Sequence, residues 1–404
     1  MKPSERLPVS QVFSPERYYD PEFFKDELQY LFRTQWLNVG HVCDIPNPGD
    51  YLVCDLHALG ASALIIRGKD NQLRAFYNMC THRGNKVIMT HCNAHGHAKA
   101  FTCLFHGWVF DLNGKLVGVP GKEYFGDLDV SNRNLYEMRC DTWGGMIFIN
   151  LAEKPEYTLA EYLEPLTGKG LGNYLDGISW RKAFGWSALI NTNWKLICDA
   201  QLEGYHVASL HGNSIAGAIP CENLVPKLYE NPKAVPGIVS AYLDLQAAKP
   251  TPIQLISAKY GISGTYVRSK LDNMKLANPN AFNEEQRPDW QFDNYALLPH
   301  GVMFVQGSGY MIQRSWPVAP DKTFFEMDVY LPVVLSNFGE VFNEYVNEYN
   351  LRDVITEDLA TLEHTQANLA EGPVKDIVFS AQEGILSAFH SLIDQTIQRY
   401  KHNQ

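Results

Sequence analysis

From Tyr18 to Trp36 the apolar residues recur at helical spacing. Phe24, Leu28, Leu31, Phe32 and Trp36 share one face, behind Asp20 as cap and Pro21 in the first turn. After residue 39 the period shortens. The runs "YLVC", "ALIIR", "LRAFY", "KAFTC", "WVFDL" and "MIFINL" alternate with turn stretches such as "GKDNQ" and "DLNGK" as far as residue 150. That pattern predicts an antiparallel β domain. Beyond Pro155 the pattern is mixed. A helix is expected over 193–210, then an irregular segment over 213–290 containing "NPNAFNEEQRPDW", then three strands over 296–332 turning at "PVAPDK". Two helices close the chain. One carries Phe342, Tyr345, Val346 and Tyr349 on the face of Leu359 and Leu362; the other carries Ile385, Phe389, Leu392, Ile393 and Ile397. The chain therefore reads as α+β, with an N-terminal helical segment (1–38), a β domain (39–155) and a larger second domain (156–404).

At 404 residues there is room for more than one core. A net charge of −11 argues against a nucleic-acid partner. No apolar run has the length of a membrane span, and "MKPSERLPVSQVF" has no signal-peptide character. Cysteines are sparse outside one stretch, so a reducing cytoplasm is the expected location.

That one stretch, residues 78–108, contains two mixed pairs, Cys80-x-His82 and Cys103-x-x-His106. Two thiolates and two imidazoles suit a structural zinc or a [2Fe–2S] cluster with histidines on one iron. Zinc knuckles usually pair like with like. Here each pair mixes Cys with His and is followed by glycine, as two hairpin tips serving both irons require. His91, Cys92, His95 and His97 fall in a polar stretch read as solvated loop.

A second candidate centre lies in "NWKLICDAQLEGYHVASLH". His206 and His211 are five apart, about 140° around an ordinary helix, so convergence on one metal requires unwinding or a π-bulge. Two histidines and one carboxylate make the facial triad of non-haem iron oxygenases. Asp358 is the candidate carboxylate, with Glu357 and Asp353 as rivals.

With both centres in one chain, the sequence resembles the catalytic α subunits of Rieske non-haem iron oxygenases, the ring-hydroxylating oxygenase family. The resemblance runs through "FRTQWLNVGH", "PGDY", "NMCTHRG", "CLFHGW", "WGGMIFINL", "NWK…EGYH…H" and "ED…Q". It implies a Rieske β domain joined to a catalytic domain of antiparallel sheet flanked by helices. Cys80, His82, Cys103 and His106 become the expected cluster ligands, and His206, His211 and Asp358 the ligands of a mononuclear Fe(II). It further implies a homotrimer in which electrons cross between subunits through a carboxylate three residues before the first iron histidine. That residue is Glu203 here, where most members have Asp. Glutamate resembles the branch acting on quaternary amines, although that branch usually follows it with Cys and this chain has Gly204. The chemistry implied is reductive activation of O2, with one or both oxygen atoms inserted into a small organic substrate. No dinucleotide motif is present, so a separate flavin-containing NAD(P)H reductase, acting directly or through a ferredoxin, is the expected donor. A separate β subunit also belongs to the family's repertoire.

The expected pocket residues are Ile197, Gln201, Leu202, Leu210, Ile215, Met303, Phe304 and Met311, a largely apolar set favouring an aromatic or alicyclic substrate. Arg268 and Arg314 are candidates for a carboxylate clamp. The alternatives are a monooxygenase acting on a quaternary amine or removing an N- or O-methyl group and, in a different class, a non-catalytic Rieske carrier or zinc-binding interaction protein.

Overall fold

Asp20 accepts a hydrogen bond from the Glu22 amide and Pro21 takes the first helical position, so α1 spans Pro21–Asp26. The helix then widens to π geometry over Glu27–Phe32. The computed structural model describes residues 12–402 apart from 90–93, 128, 213, 216–218, 245–251, 253–280, 307–308 and 333–337. His91, Cys92, Arg268 and the first three residues of "NPNAFNEEQRPDW" lie outside the described residues. Two units emerge. One runs from Phe32 to Leu159; the other joins the chain up to Leu31 with everything from Ala160 onward.

The first unit is all antiparallel. A seven-stranded sheet has the spatial order 37–41, 146–150, 137–143, 73–77, 62–67, 50–55, 94–97, and a three-stranded sheet takes 101–102, 109–110 and 116–118. Strands Leu37–His41, Ala94–His97, Leu116–Gly118 and Glu137–Trp143 were not expected from the apolar runs. In Glu137–Trp143 the exposed Glu137, Arg139 and Asp141 leave only one apolar face and so a weak hydrophobic signal. Strand Ala94–His97 places His95 and His97 in a ladder with the 50–55 strand rather than in a loop.

In the second unit a seven-stranded antiparallel sheet runs 181–190, 322–331, 309–319, 301–306, 290–297, 237–242, 224–228. The expected three strands over 296–332 are four, beginning at Trp290, and the supposedly irregular segment contributes Leu224–Leu228 and Gly237–Tyr242. Across one sheet face lie Ile197 of α2 (Trp194–Gln201) and Ile355 and Leu359 of a long helix, packed on Met311, Phe325, Met327 and Val329. The helix expected over 193–210 is broken. After α2 the chain turns through Leu202–His206 and resumes as α3, Val207–Leu210. The long helix is α4, Phe338–Ala370, and α5 is Gly384–His402.

α2 is tied down from within. Lys195 and Glu27, both fully buried, form an ion pair at 2.6 Å, and Trp194 Nε1 donates to the other Glu27 oxygen at 3.2 Å. Burial pushes the Glu27 carboxyl up and the Lys195 ammonium down, against the attraction each exerts on the other. Removing one partner strands the other without water. Lys195→Met is expected to destabilise this unit by about 3–5 kcal/mol, while Lys195→Met with Glu27→Leu recovers most of the loss. Denaturant titration read by tryptophan fluorescence checks both; equal stability of the single and double variants contradicts the argument.

Candidate metal centres

Two loops in the β unit repeat one backbone pattern. The Gly84 amide donates to the Cys80 carbonyl (2.8 Å) and the Gly107 amide to that of Cys103 (2.9 Å). The Cys80 amide donates to the Asn85 carbonyl (2.7 Å) and the Cys103 amide to that of Trp108 (2.8 Å). Each loop closes on a glycine with φ of +80° or +72°, a region where a Cβ is disfavoured. The glycines after each pair are therefore a condition of the turn. Within these matching loops the histidine stands two residues after Cys80 and three after Cys103.

The thiols of Cys80 and Cys103 lie within hydrogen-bonding reach of each other, and both residues are buried. Burial raises both thiols. For Cys103 this is outweighed by the amides of Phe105 and His106 and by Asn85, whose side-chain amide donates to Sγ at 3.8 Å. His82 and His106 approach each other Nδ1 to Nδ1, at 3.2 Å, with His82 stacked on the buried Trp108. Burial, then His106 and two arginines, lowers the His82 pKa and keeps its imidazole neutral, as a metal ligand must be. Thiol pairs with thiol and imidazole with imidazole. That division fits a two-iron cluster better than one tetrahedral ion.

In the other unit, three ligand atoms converge. His206, His211 and Asp358 offer donor atoms all within 4.8 Å of one another. His206 Nε2 lies 3.2 Å from His211 Nε2, and Asp358 Oδ1 is 3.1 Å from the latter and 3.5 Å from the former. The broken helix makes this possible, because His206 precedes α3 and His211 follows it. Each imidazole is turned by a carboxylate on its far side. Glu203 engages His206 Nδ1 and caps the amides of Tyr205 and His206. Glu357 lies 2.6 Å from His211 Nδ1 and accepts from Ser214 Oγ at 2.8 Å.

Protons on the two Nδ1 atoms leave both Nε2 lone pairs pointing inward, at a carboxylate oxygen that is buried and has no hydrogen-bond donor. Burial opposes charge on His211, yet Asp358 and Glu357 together raise its pKa, so the spot favours a cation. The donor set fits a divalent metal with open positions. Glu357 is thus a partner of His211 rather than a rival ligand, and Asp353 is an exposed residue beside Arg352. On a helix, adjacent residues diverge by about 100°, which lets Glu357 and Asp358 grip opposite sides of one ring.

A cavity of about 290 Å³ adjoins the triad. Of the expected pocket residues Gln201, Ile215, Phe304 and Met311 line it. The others do not. Ile197 packs into the sheet-facing core, Leu202 is fully buried, and Leu210 is not among the lining residues, to which α3 contributes Val207. Met303 pairs with Tyr295 and Ile312, one residue out of phase with the cavity face of Phe304. Arg314 is a buried ion-pair partner of Glu326 and Asp328, which takes it out of any substrate clamp. Phe292, Asn294 and Gln306, which the expected set leaves out, also line the cavity; Phe292 and Gln306 meet as ladder partners, a pairing between separate strands that the sequence alone does not show. At Gly204 a Cβ would fall 2.7 Å from Leu224 Cβ, so this cavity-lining leucine fills the space a side chain there requires.

Residues 35–130 match the Rieske [2Fe-2S] domain, and residues 177–399 match the ring hydroxylating alpha subunit (catalytic domain). The fold and its two centres thereby define a Rieske non-haem iron mono- or dioxygenase, carrying a Rieske cluster and a mononuclear iron. The chain belongs to the ring-hydroxylating α-subunit family. It is 33% identical over 319 residues to the 2-aminobenzenesulfonate 2,3-dioxygenase subunit alpha of Alcaligenes sp, covering 76% of this chain and 71% of that protein. It is 26% identical over 329 residues, with the same shares covered, to the glycine betaine monooxygenase oxygenase subunit of Pseudomonas aeruginosa. Its fold is that of naphthalene 1,2-dioxygenase from Rhodococcus sp., with a TM-score of 0.76 at 18% identity over 96% of this chain and 94% of that one. Among the described residues no helix is long and apolar enough to cross a membrane.

His206→Ala is expected to lower iron by one atom per chain while leaving the visible absorption of the cluster unchanged. Metal analysis with a spectrum on one sample checks this; unchanged iron content removes His206 from the ligands. Glu357→Gln is expected to weaken retention of the mononuclear iron by roughly tenfold or more in chelator competition. Retention equal to wild type shows that His211 needs no carboxylate behind it.

Proposed function

We propose that this chain is the oxygenase component that hydroxylates an apolar, aromatic or alicyclic substrate with O2 and electrons originating from NAD(P)H. The carrying observation is the cavity beside the triad, walled by Ile215, Leu224, Phe304 and Met311. In this reading residues 39–155 form the Rieske domain with Cys80, His82, Cys103 and His106 as cluster ligands. Residues 156–404 form the catalytic domain, 1–38 is the N-terminal helical segment, and His206, His211 and Asp358 hold the mononuclear Fe(II). The iron, when bound, supplies O2 activation. The chain's own residues orient it: Glu203 and Glu357 set the imidazole tautomers, and Gln201 Nε2 donates to Asp358 Oδ2 at 2.8 Å, leaving Oδ1 to face the histidines. The apolar walls exclude water from the reacting position.

Electron supply is assigned to a flavin-containing NAD(P)H reductase, directly or through a ferredoxin, acting in the cytoplasm on a homotrimer with or without a β subunit. Supporting self-assembly, Leu104 (77% exposed) and Phe105 (55% exposed) sit between the ligands Cys103 and His106, an apolar tip suited to contact with another copy of this chain. Glu203 is the carboxylate through which electrons would reach His206.

The second reading, oxidation of a quaternary amine, draws on Glu203 and on the glycine betaine relative. Against it stand Gly204, hemmed in by Leu224, and a lining whose two described phenyl rings, Phe292 and Phe304, pack on each other rather than form a cage for a cation.

With a reductase present, oxygen uptake is expected to depend on an apolar ring substrate, with glycine betaine and carnitine inactive; the reverse preference overturns the ring reading. Glu203→Gln is expected to retain both metals and product formation in a single turnover of pre-reduced enzyme, yet to slow steady-state turnover at least tenfold. Full steady-state activity removes Glu203 from the electron path.

A further inference from the structure

We infer that Gln313, which belongs neither to the triad nor to the cavity lining, is a positioning residue: through Gln201 it confines Asp358 to a single bond with the mononuclear metal and so keeps one more coordination position open. The inference rests on His206, His211 and Asp358 being the iron ligands, as proposed above, and adds what holds the third of them to one oxygen.

The contacts run in a direction that the carboxylate imposes. An ionised carboxylate only accepts, so the Gln201 atom 2.8 Å from Asp358 Oδ2 is Nε2. Gln201 Oε1 then points the other way and needs a donor, which Gln313 Nε2 supplies at 3.1 Å. Turning either amide end for end sets oxygen against oxygen. Asn294 adds a third hold, since its Nδ2 donates to the backbone carbonyl of Gln201. All four residues are buried.

This arrangement leaves two acceptors unsatisfied. Asn294 and Gln313 commit their N–H groups to Gln201, while Asn294 Oδ1 and Gln313 Oε1 are buried with no hydrogen-bond partner. Such groups are rare in folded proteins and each one destabilises. An apolar side chain at position 313 would avoid the loss, because its ladder partners are the buried Val302 and Met327. Two orphaned oxygens around one glutamine mark its orientation as something function requires.

The requirement is met at Asp358. Its Oδ1 lies 3.1 Å and 3.5 Å from the two histidine Nε2 atoms and has no donor of its own. A carboxylate binds a metal through one oxygen or through two, and the second bond takes a further position on the ion. Gln201 holds Oδ2, so Oδ1 alone is offered, and the position spared remains for an exogenous ligand.

Gln313→Met keeps the length of the side chain, removes the donor and leaves the cavity walls as they are. Gln201, which does line the cavity, is then free to swing into it and release Oδ2. Iron-loaded, reduced enzyme is crystallised without oxygen, and nitric oxide, a probe of open positions, is titrated in solution by electron paramagnetic resonance. In the wild type one Asp358 oxygen is expected on iron and the other on Gln201. In Gln313→Met both oxygens are expected on iron, with nitric oxide affinity down about tenfold and iron retention against a chelator undiminished. A residue that merely supports the fold gives the opposite, weaker retention with unchanged nitric oxide affinity, and that result overturns the inference. So does a wild-type Asp358 bound through both oxygens, which needs no variant. Iron absent from His206, His211 and Asp358 in the loaded crystal overturns the ligand assignment itself, so the two failures are told apart.

Discussion

Two imidazole nitrogens and one carboxylate oxygen aim lone pairs at a single buried point, and neutral protein groups cannot satisfy them there. Much of the catalytic unit is arranged around that demand. The break between α2 and α3 brings together histidines that a continuous helix would hold about 140° apart. The long α4 brings Asp358 to the convergence point and Glu357 to the far side of His211 from adjacent positions. The buried Lys195–Glu27 pair anchors the helix that leads into the break. A cation at the convergence point answers the orphaned oxygen, which is why the family's iron and this geometry agree.

The cluster loops solve a different problem with a repeated device. The same pair of backbone hydrogen bonds closes each loop on a left-handed glycine, and amides near Cys103 turn toward its sulfur. Donors to sulfur stabilise its negative form and so bear on reduction potential. Each loop carries one cysteine and one histidine, so thiol meets thiol and imidazole meets imidazole only where the two loops come together.

Around the cavity, specificity follows from what is already spent. Gln201 is used at both ends and Arg314 is consumed by Glu326 and Asp328. Leu224 fills the space beside Gly204, so no side chain fits at that position without a shift of the leucine.

Much was legible in the chain itself. Period-two and helical spacing marked the β domain, the terminal helices and the capped start at Asp20, because burial on one face imposes that alternation. Cys-x-His and Cys-x-x-His with their glycines named the cluster, since few turns place both ligand types together. The five-residue spacing of His206 and His211 already required a broken helix. Tertiary structure alone decided the rest. Strands with exposed polar faces, such as Glu137–Trp143, lack a hydrophobic signature of their own. Whether Glu357 binds metal or orients His211 depends on which side of the ring it reaches, and spacing along one helix does not report on another. The same holds for Met303 against Phe304 and for the unpaired oxygen of Asn294: strand register and the partners already taken determine them, and both are properties of packing between segments far apart in the chain.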